Sequence, residues 1–116
     1  MLFQVDPASS APLHEQVAAS VRREMAVGGL TQGDRLPSAK EVASLLDINL
    51  HTVLRAYQAL RDEGLIDLRR GRGAVVIATD PGGQARLSTL VTELVREAHR
   101  VGATRADLTR LIEKAY

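Results

Sequence analysis

Arginine and glycine alternate over residues 69–73 in the order Arg69-Arg70-Gly71-Arg72-Gly73. A guanidinium is a planar fork of donors that matches a phosphate, and a neighbouring glycine lets the backbone approach closely. A second group follows Asn49: Leu50, His51, Thr52, Leu54, Arg55 and Gln58. His, Arg and Gln side chains donate to base edges or phosphates, and leucines suit the methyl group of thymine. A third group, Arg35, Ser38 and Lys40, surrounds a helix start, where free backbone amides can meet an anion. Ser38 in that position serves first as a cap, and Lys40 on its own would be a solvated lysine.

Other chemistries lack their residues. The chain has no cysteine, so disulfide frameworks and thiolate metal sites are excluded. His14, His51 and His99 are scattered without a metal-ligand spacing, and Lys40 and Lys114 are the only lysines. No catalytic constellation can be read, and Gly71-Arg72-Gly73 is too short to be a nucleotide loop. The expectation is no enzyme, no cofactor and no metal.

The elements that must hold these groups are legible in the periodicity. Pro12 opens an amphipathic helix in which Leu13, Val17, Val21 and Met25 recur every four residues until Gly28-Gly29. Phe3 and Val5 before it suggest a short extended arm. A brief strand is expected at Arg35-Leu36. Ser38-Ala39-Lys40-Glu41 matches a capping box, followed by Val42, Ala43, Leu45 and Leu46 as the buried side of a short helix. Asn49 caps another helix, from about Leu50 to Glu63, which buries Val53, Ala56, Tyr57 and Leu60 and stops at Gly64. The interval between the two helices has the length of a helix-turn-helix connection. Beyond Gly64 the period changes to that of strands, giving a β-hairpin with Arg69, Arg70 and Arg72 at its tip.

Helix, helix-turn-helix and basic hairpin in that order make a winged helix, whose second motif helix fits a major groove. The fold class is therefore mainly α with a small β-hairpin, a winged helix-turn-helix followed by a two-helix tail. Residues 1–78 form the DNA-binding domain, residues 79–83 (around Asp80-Pro81-Gly82-Gly83) a linker, and residues 84–116 a helical module. In the tail, Leu87, Leu90, Val91, Leu94, Val95 and Ala98 make one apolar stripe. Thr104 caps a last helix with Leu108, Leu111 and Ile112 on its apolar face. A stripe on two short helices beyond a linker seeks a second copy, so homodimerisation is expected.

The 116 residues carry fifteen Lys and Arg against fourteen Asp and Glu, a formal net charge of +1. That balance conceals a division. Residues 1–34 have two basic and four acidic side chains, net −2, whereas residues 35–78 have seven and five, net +2. Residues 79–116 have six and five, net +1. No segment has the length of a membrane span or the form of a signal peptide, so a cytoplasmic protein of bacterial style without a membrane partner is expected.

Several motifs occur together: Pro12-Leu13-His14-Glu15-Gln16-Val17, Gly33-Asp34-Arg35-Leu36-Pro37-Ser38, Thr52-Val53, Ala59-Leu60, Glu63-Gly64-Leu65-Ile66 and Arg70-Gly71-Arg72-Gly73. In this order and spacing they resemble the GntR family of bacterial transcription regulators, over residues 3 to about 78. The short tail, and Asn49 with Thr52-Val53 and Arg55-Ala56-Tyr57, look like the YtrA subfamily. The resemblance implies a repressor-like role, double-stranded DNA as partner and a tail that dimerises. By position it also implies DNA contacts at Lys40, Asn49, Leu50, His51, Thr52, Leu54, Arg70 and Gly71.

The chain departs from the family pattern where Lys40 stands for an arginine, which turns a fork into a point charge. Leu50 and Leu54 also stand where arginine is common, and Asp47 replaces a turn glycine. A small-molecule effector is left unassigned, with the dimer interface as one place for it. The competing reading is a winged helix that binds a protein partner and no specific DNA. Leu50 and Leu54 keep it open, and the scarcity of aromatics argues against stacked RNA.

Overall fold

The computed structural model describes residues 3–69 and 73–116, so Arg70, Gly71 and Arg72 lie outside the described residues. The elements in order are α1 (Leu13–Ala26), α2 (Ala39–Leu46), α3 (Leu50–Asp62), β1 (Ile66–Arg69), β2 (Gly73–Val76), α4 (Pro81–Val101) and α5 (Arg105–Ala115). They divide into two compact units, residues 1–86 and residues 87–116.

The first unit is built around α3. Its Val53, Ala56, Tyr57 and Leu60 are all buried, as the i, i+3, i+4, i+7 spacing requires. Val17, Ala18, Val21 and Met25 of α1 and Val42 and Ala43 of α2 join them, together with Leu65 and Ile66 after the α3 turn. Phe3 completes this core from the N-terminal arm. The arm is held by α1: the Ser20 hydroxyl accepts from the Gln4 amide at 3.2 Å, and Gln16 Oε1 accepts from the Asp6 amide. Arg22 of α1 makes a bidentate ion pair with Glu63 at the end of α3, with Nη2 2.6 Å from Oε2.

β1 and β2 pair antiparallel with Ile66 opposite Val76 and Arg69 opposite Gly73. The strand expected at Arg35-Leu36 is a single bridge, Arg35 to Val75, on the free edge of β2. Bonds from the Leu36 amide to the Ala74 carbonyl and from the Val76 amide to the Asp34 carbonyl flank it. Ile66, Ala74 and Val76 point into the core, so the opposite face carries Arg35, Val75, Asp67 and Arg69.

Several expectations are corrected. Leu45 was expected on the buried side of α2 but is 74% exposed, because eight residues can turn only about one narrow face, that of Val42 and Ala43, to the core. Ser38 Oγ accepts from the Glu41 amide at 3.1 Å, yet the return bond of a capping box is absent there. Residues 81–83 are not a linker: they are the first turn of α4. Asp80 caps that turn, its carboxylate accepting from the Gly83 amide at 3.0 Å and its carbonyl from the Gln84 amide. Pro81 then takes the first helical position, where its missing amide costs nothing. Pro81 and Ala85 are buried in the first unit, and this packing outweighs the low helix propensity of Gly82 and Gly83.

In the second unit, α4 closes at Gly102 with φ 75°, the Ala103 amide reaching back to the Ala98 carbonyl. Thr104 and Asp107 form a complete capping box for α5. The Thr104 amide and hydroxyl hold the Asp107 carboxyl below its ordinary value. No residue of α5 is buried.

Candidate nucleic-acid interface

The turn between α2 and α3 is short because α2 ends abruptly. Asp47 adopts the left-handed conformation, φ 53° and ψ 50°, and the Ile48 amide bonds back to the Ala43 carbonyl. This is the same termination that Gly64 gives α3, but with a side chain in place of glycine. Among the described residues Asp47 alone has a positive φ without being glycine. Asn49 then starts α3, its Oδ1 accepting from the His51 amide at 2.7 Å. Asn49 then has its amide donors and the second lone pair of that oxygen left for other partners.

On α3 His51, Arg55 and Gln58 are exposed at i, i+4, i+7, on the side away from the core, and Arg61 and Asp62 are exposed at its C-terminal end. Thr52 and Leu54 flank them, half-buried. Leu50 is also half-buried and packs on the rim of the core. Leu50 is thus not on the open side of α3 with His51 and Arg55, and Leu46 and Ile48 are likewise half-buried against the core. Ser38 is half-buried as the cap of α2, and Lys40 is exposed two residues later.

Tyr57 connects these groups. Its ring is buried in the core, and its hydroxyl donates to the Pro37 carbonyl at 2.6 Å. That bond ties α3 to the segment carrying Arg35 and the N-cap of α2. Burial, and secondarily the charge of Glu41, push the Tyr57 phenol well above its ordinary value, so it remains a donor. Sequence periodicity placed Tyr57 in the core and missed the bond; a lone tyrosine in a leucine-rich core is itself a signal that its hydroxyl needs a partner.

On the sheet, Arg35 and Arg69 line one shallow groove with Gln32, Val75 and Ile77. They are not equivalent. Arg69 Nε lies 3.0 Å from Asp67 Oδ2, whereas Arg35 has no ion-pair partner among the described residues. Asp67 was missed in the sequence, although residues two apart on a strand share a face. The expected contacts at Arg70, Gly71 and Arg72 fall outside the described residues. Arg35, Lys40 and Arg55 are among the cations that have no acidic partner among the described residues. Arg55 lies on α3, Lys40 at the start of α2 and Arg35 on the segment before α2. Such an arrangement fits the edges and phosphates of a duplex groove, and it belongs to the class of winged-helix DNA-binding transcription regulators.

Comparison with known proteins identifies the particular family. Residues 13–76 match the family model for bacterial regulatory proteins, gntR family. The chain is 30% identical over 118 residues to the HTH-type transcriptional repressor YtrA of Bacillus subtilis, covering 97% of this chain and 91% of that protein. It is 29% identical over 110 residues to the HTH-type transcriptional regulator Rv1152 of Mycobacterium tuberculosis, covering 95% and 90% of the two. Among solved structures, YtrA from Sulfolobus acidocaldarius, a GntR-family transcription factor, superimposes with a TM-score of 0.64 at 32% identity. That match covers 83% of this chain and 99% of that one. The chain belongs to the GntR family of bacterial regulatory proteins, with a mainly helical winged-helix fold and its small antiparallel sheet. No described helix is long and apolar enough to cross a membrane.

Proposed function

We propose that the protein is a homodimeric repressor that binds a near-palindromic operator in the bacterial cytoplasm, one winged helix to each half-site. The observation that carries the dimer is the uncovered apolar stripe of the second unit. Leu87, Leu90 and Val91 are 56, 60 and 50% exposed, and Leu94 and Val95 of the same stripe are open as well. Leu111 and Ile112 on α5 are also exposed, Leu108 is half-covered, and Ala98 is buried. The first unit closes its own core, so this surface is left for a second copy, and pairing two weak DNA modules raises their joint affinity through effective concentration.

Repression follows the likeness to the Bacillus subtilis repressor along nearly the whole chain. In this reading α3 supplies base contacts from Asn49, His51, Leu54, Arg55 and Gln58. Arg35, Lys40, Arg69 and the hairpin tip hold phosphates. A small-molecule effector would have the paired tails as its place of action.

The test is a duplex selected in vitro from a random pool, titrated by fluorescence anisotropy over a range of salt. Binding should weaken steeply with salt, and Lys40→Ala should lower the slope of log K against log salt by about one. Selected sites should contain two inverted halves one or more helical turns apart. A pool that yields no enriched sequence at low salt, or enriched sites without inverted symmetry, would overturn the reading.

A further inference from the structure

The outward side of α3 is polar at His51, Arg55 and Gln58, yet one apolar side chain interrupts it. Leu54 lies on the row Leu50, Leu54, Gln58, spaced i, i+4, i+8, away from the line of Val53, Ala56, Tyr57 and Leu60. The two leucines differ in what holds them. Leu50 is among the described residues that pack on the core, and Leu54 is not. Leu54 is half-buried without joining that core, so part of its side chain stays open on the outward side of α3. Polar groups flank it on the same helix: His51 one turn before, Gln58 one turn after and Arg55 beside it.

The base edges of a major groove present donors, acceptors and a single kind of apolar group, the C5-methyl of thymine. An isolated leucine on a helix face that otherwise offers polar contacts has that methyl as its complement. We propose that Leu54 is a specificity-determining residue that reads a thymine methyl in each half-site, with Leu50 supporting it from the core rim. The inference rests on the DNA-binding reading above and adds the base that α3 selects.

The experiment starts from the selected duplex and replaces each thymine in turn by deoxyuridine, which removes the methyl and keeps the base pair. Burying one methyl is worth roughly a four-fold change in affinity. One or two thymines per half-site should therefore weaken binding about four-fold when replaced, and the symmetric pair of replacements about fifteen-fold. Leu54→Ala should bind the thymine duplex as weakly as the parent binds the uridine duplex, and should no longer distinguish the two.

A flat uridine scan on a duplex that is still bound specifically would overturn the proposal and leave DNA binding intact. So would a uridine effect that persists in Leu54→Ala. Absence of any bound duplex would instead overturn the DNA-binding reading itself. The scan needs only the parent protein, so a folding defect in the variant does not weaken the test.

Discussion

The two units use the same helical periodicity to opposite ends. In residues 1–86 the apolar stripes of α1, α2 and α3 meet one another, and Val17, Val21, Val53, Leu60, Leu65 and Ile66 are wholly removed from water. In residues 87–116 the stripe of α4 is largely open, with Ala98 its one buried member, and α5 buries no residue. Hydrophobic stabilisation is proportional to the apolar area taken from water. The first unit therefore closes its own core, whereas the second leaves most of its apolar stripe uncovered. An apolar stripe in a sequence says that a helix has a partner; it does not say whether that partner lies in the same chain.

The sharpest way to break this contrast is to damage each stripe in turn. Leu60→Ala, in the closed core, should cost about 2–5 kcal/mol and lower the melting temperature of the first unit substantially. Leu94→Glu should leave that melting transition in place and weaken self-association by roughly a hundred-fold, since a lone charge would be buried at the pairing surface. Calorimetry and analytical ultracentrifugation read the two effects separately. A Leu94→Glu protein that remains a dimer at the same concentration would mean that the stripe pairs with nothing.

A smaller effect concerns the Tyr57 bond. Tyr57→Phe should cost about 1–2 kcal/mol through loss of the bond to Pro37. The phenol is raised in the folded state, so its contribution is complete below its ordinary value of 10 and declines as the pH rises beyond it. Denaturation followed from pH 8 to 11 should show that decline in the parent and a shallower one in the variant. The second unit should respond at the other end of the scale. Asp107 is held below its ordinary 3.8, so the cap of α5 is retained above that pH and lost as the pH falls through its lowered value.

The smallest effect expected is a gain. Asp47 occupies a left-handed position that glycine adopts without steric cost, as it does at Gly64. Asp47→Gly should raise the stability of the first unit by up to about 1 kcal/mol, the relief being partly cancelled by the entropy of a more flexible unfolded chain. A measured loss would show that the Asp47 side chain contributes something that its backbone strain conceals.

Much of the first unit could be read from residues alone. Ser38, Asn49 and Gly64 mark helix ends through local hydrogen bonds and backbone geometry, which involve only near neighbours in the chain. The same locality explains the errors. Asp80, Pro81, Gly82 and Gly83 carry turn chemistry, and only the burial of Pro81 and Ala85 turns them into a helix. Leu45 fits the apolar pattern of α2, but whether it meets a neighbour depends on how α2 lies against α3.

The candidate interface divides in the same way. The sequence alone dictates which residues α3 turns outward, because a helix with a buried stripe must expose His51, Arg55 and Gln58. It could not determine how these groups stand relative to Arg35, that Asp67 engages Arg69, or that Leu50 joins the core while Leu54 does not. Those facts depend on pairings between residues distant in the chain: β2 against the segment before α2, and the Tyr57 hydroxyl against Pro37. Local periodicity fixes the face of each element, and only packing decides what that face meets.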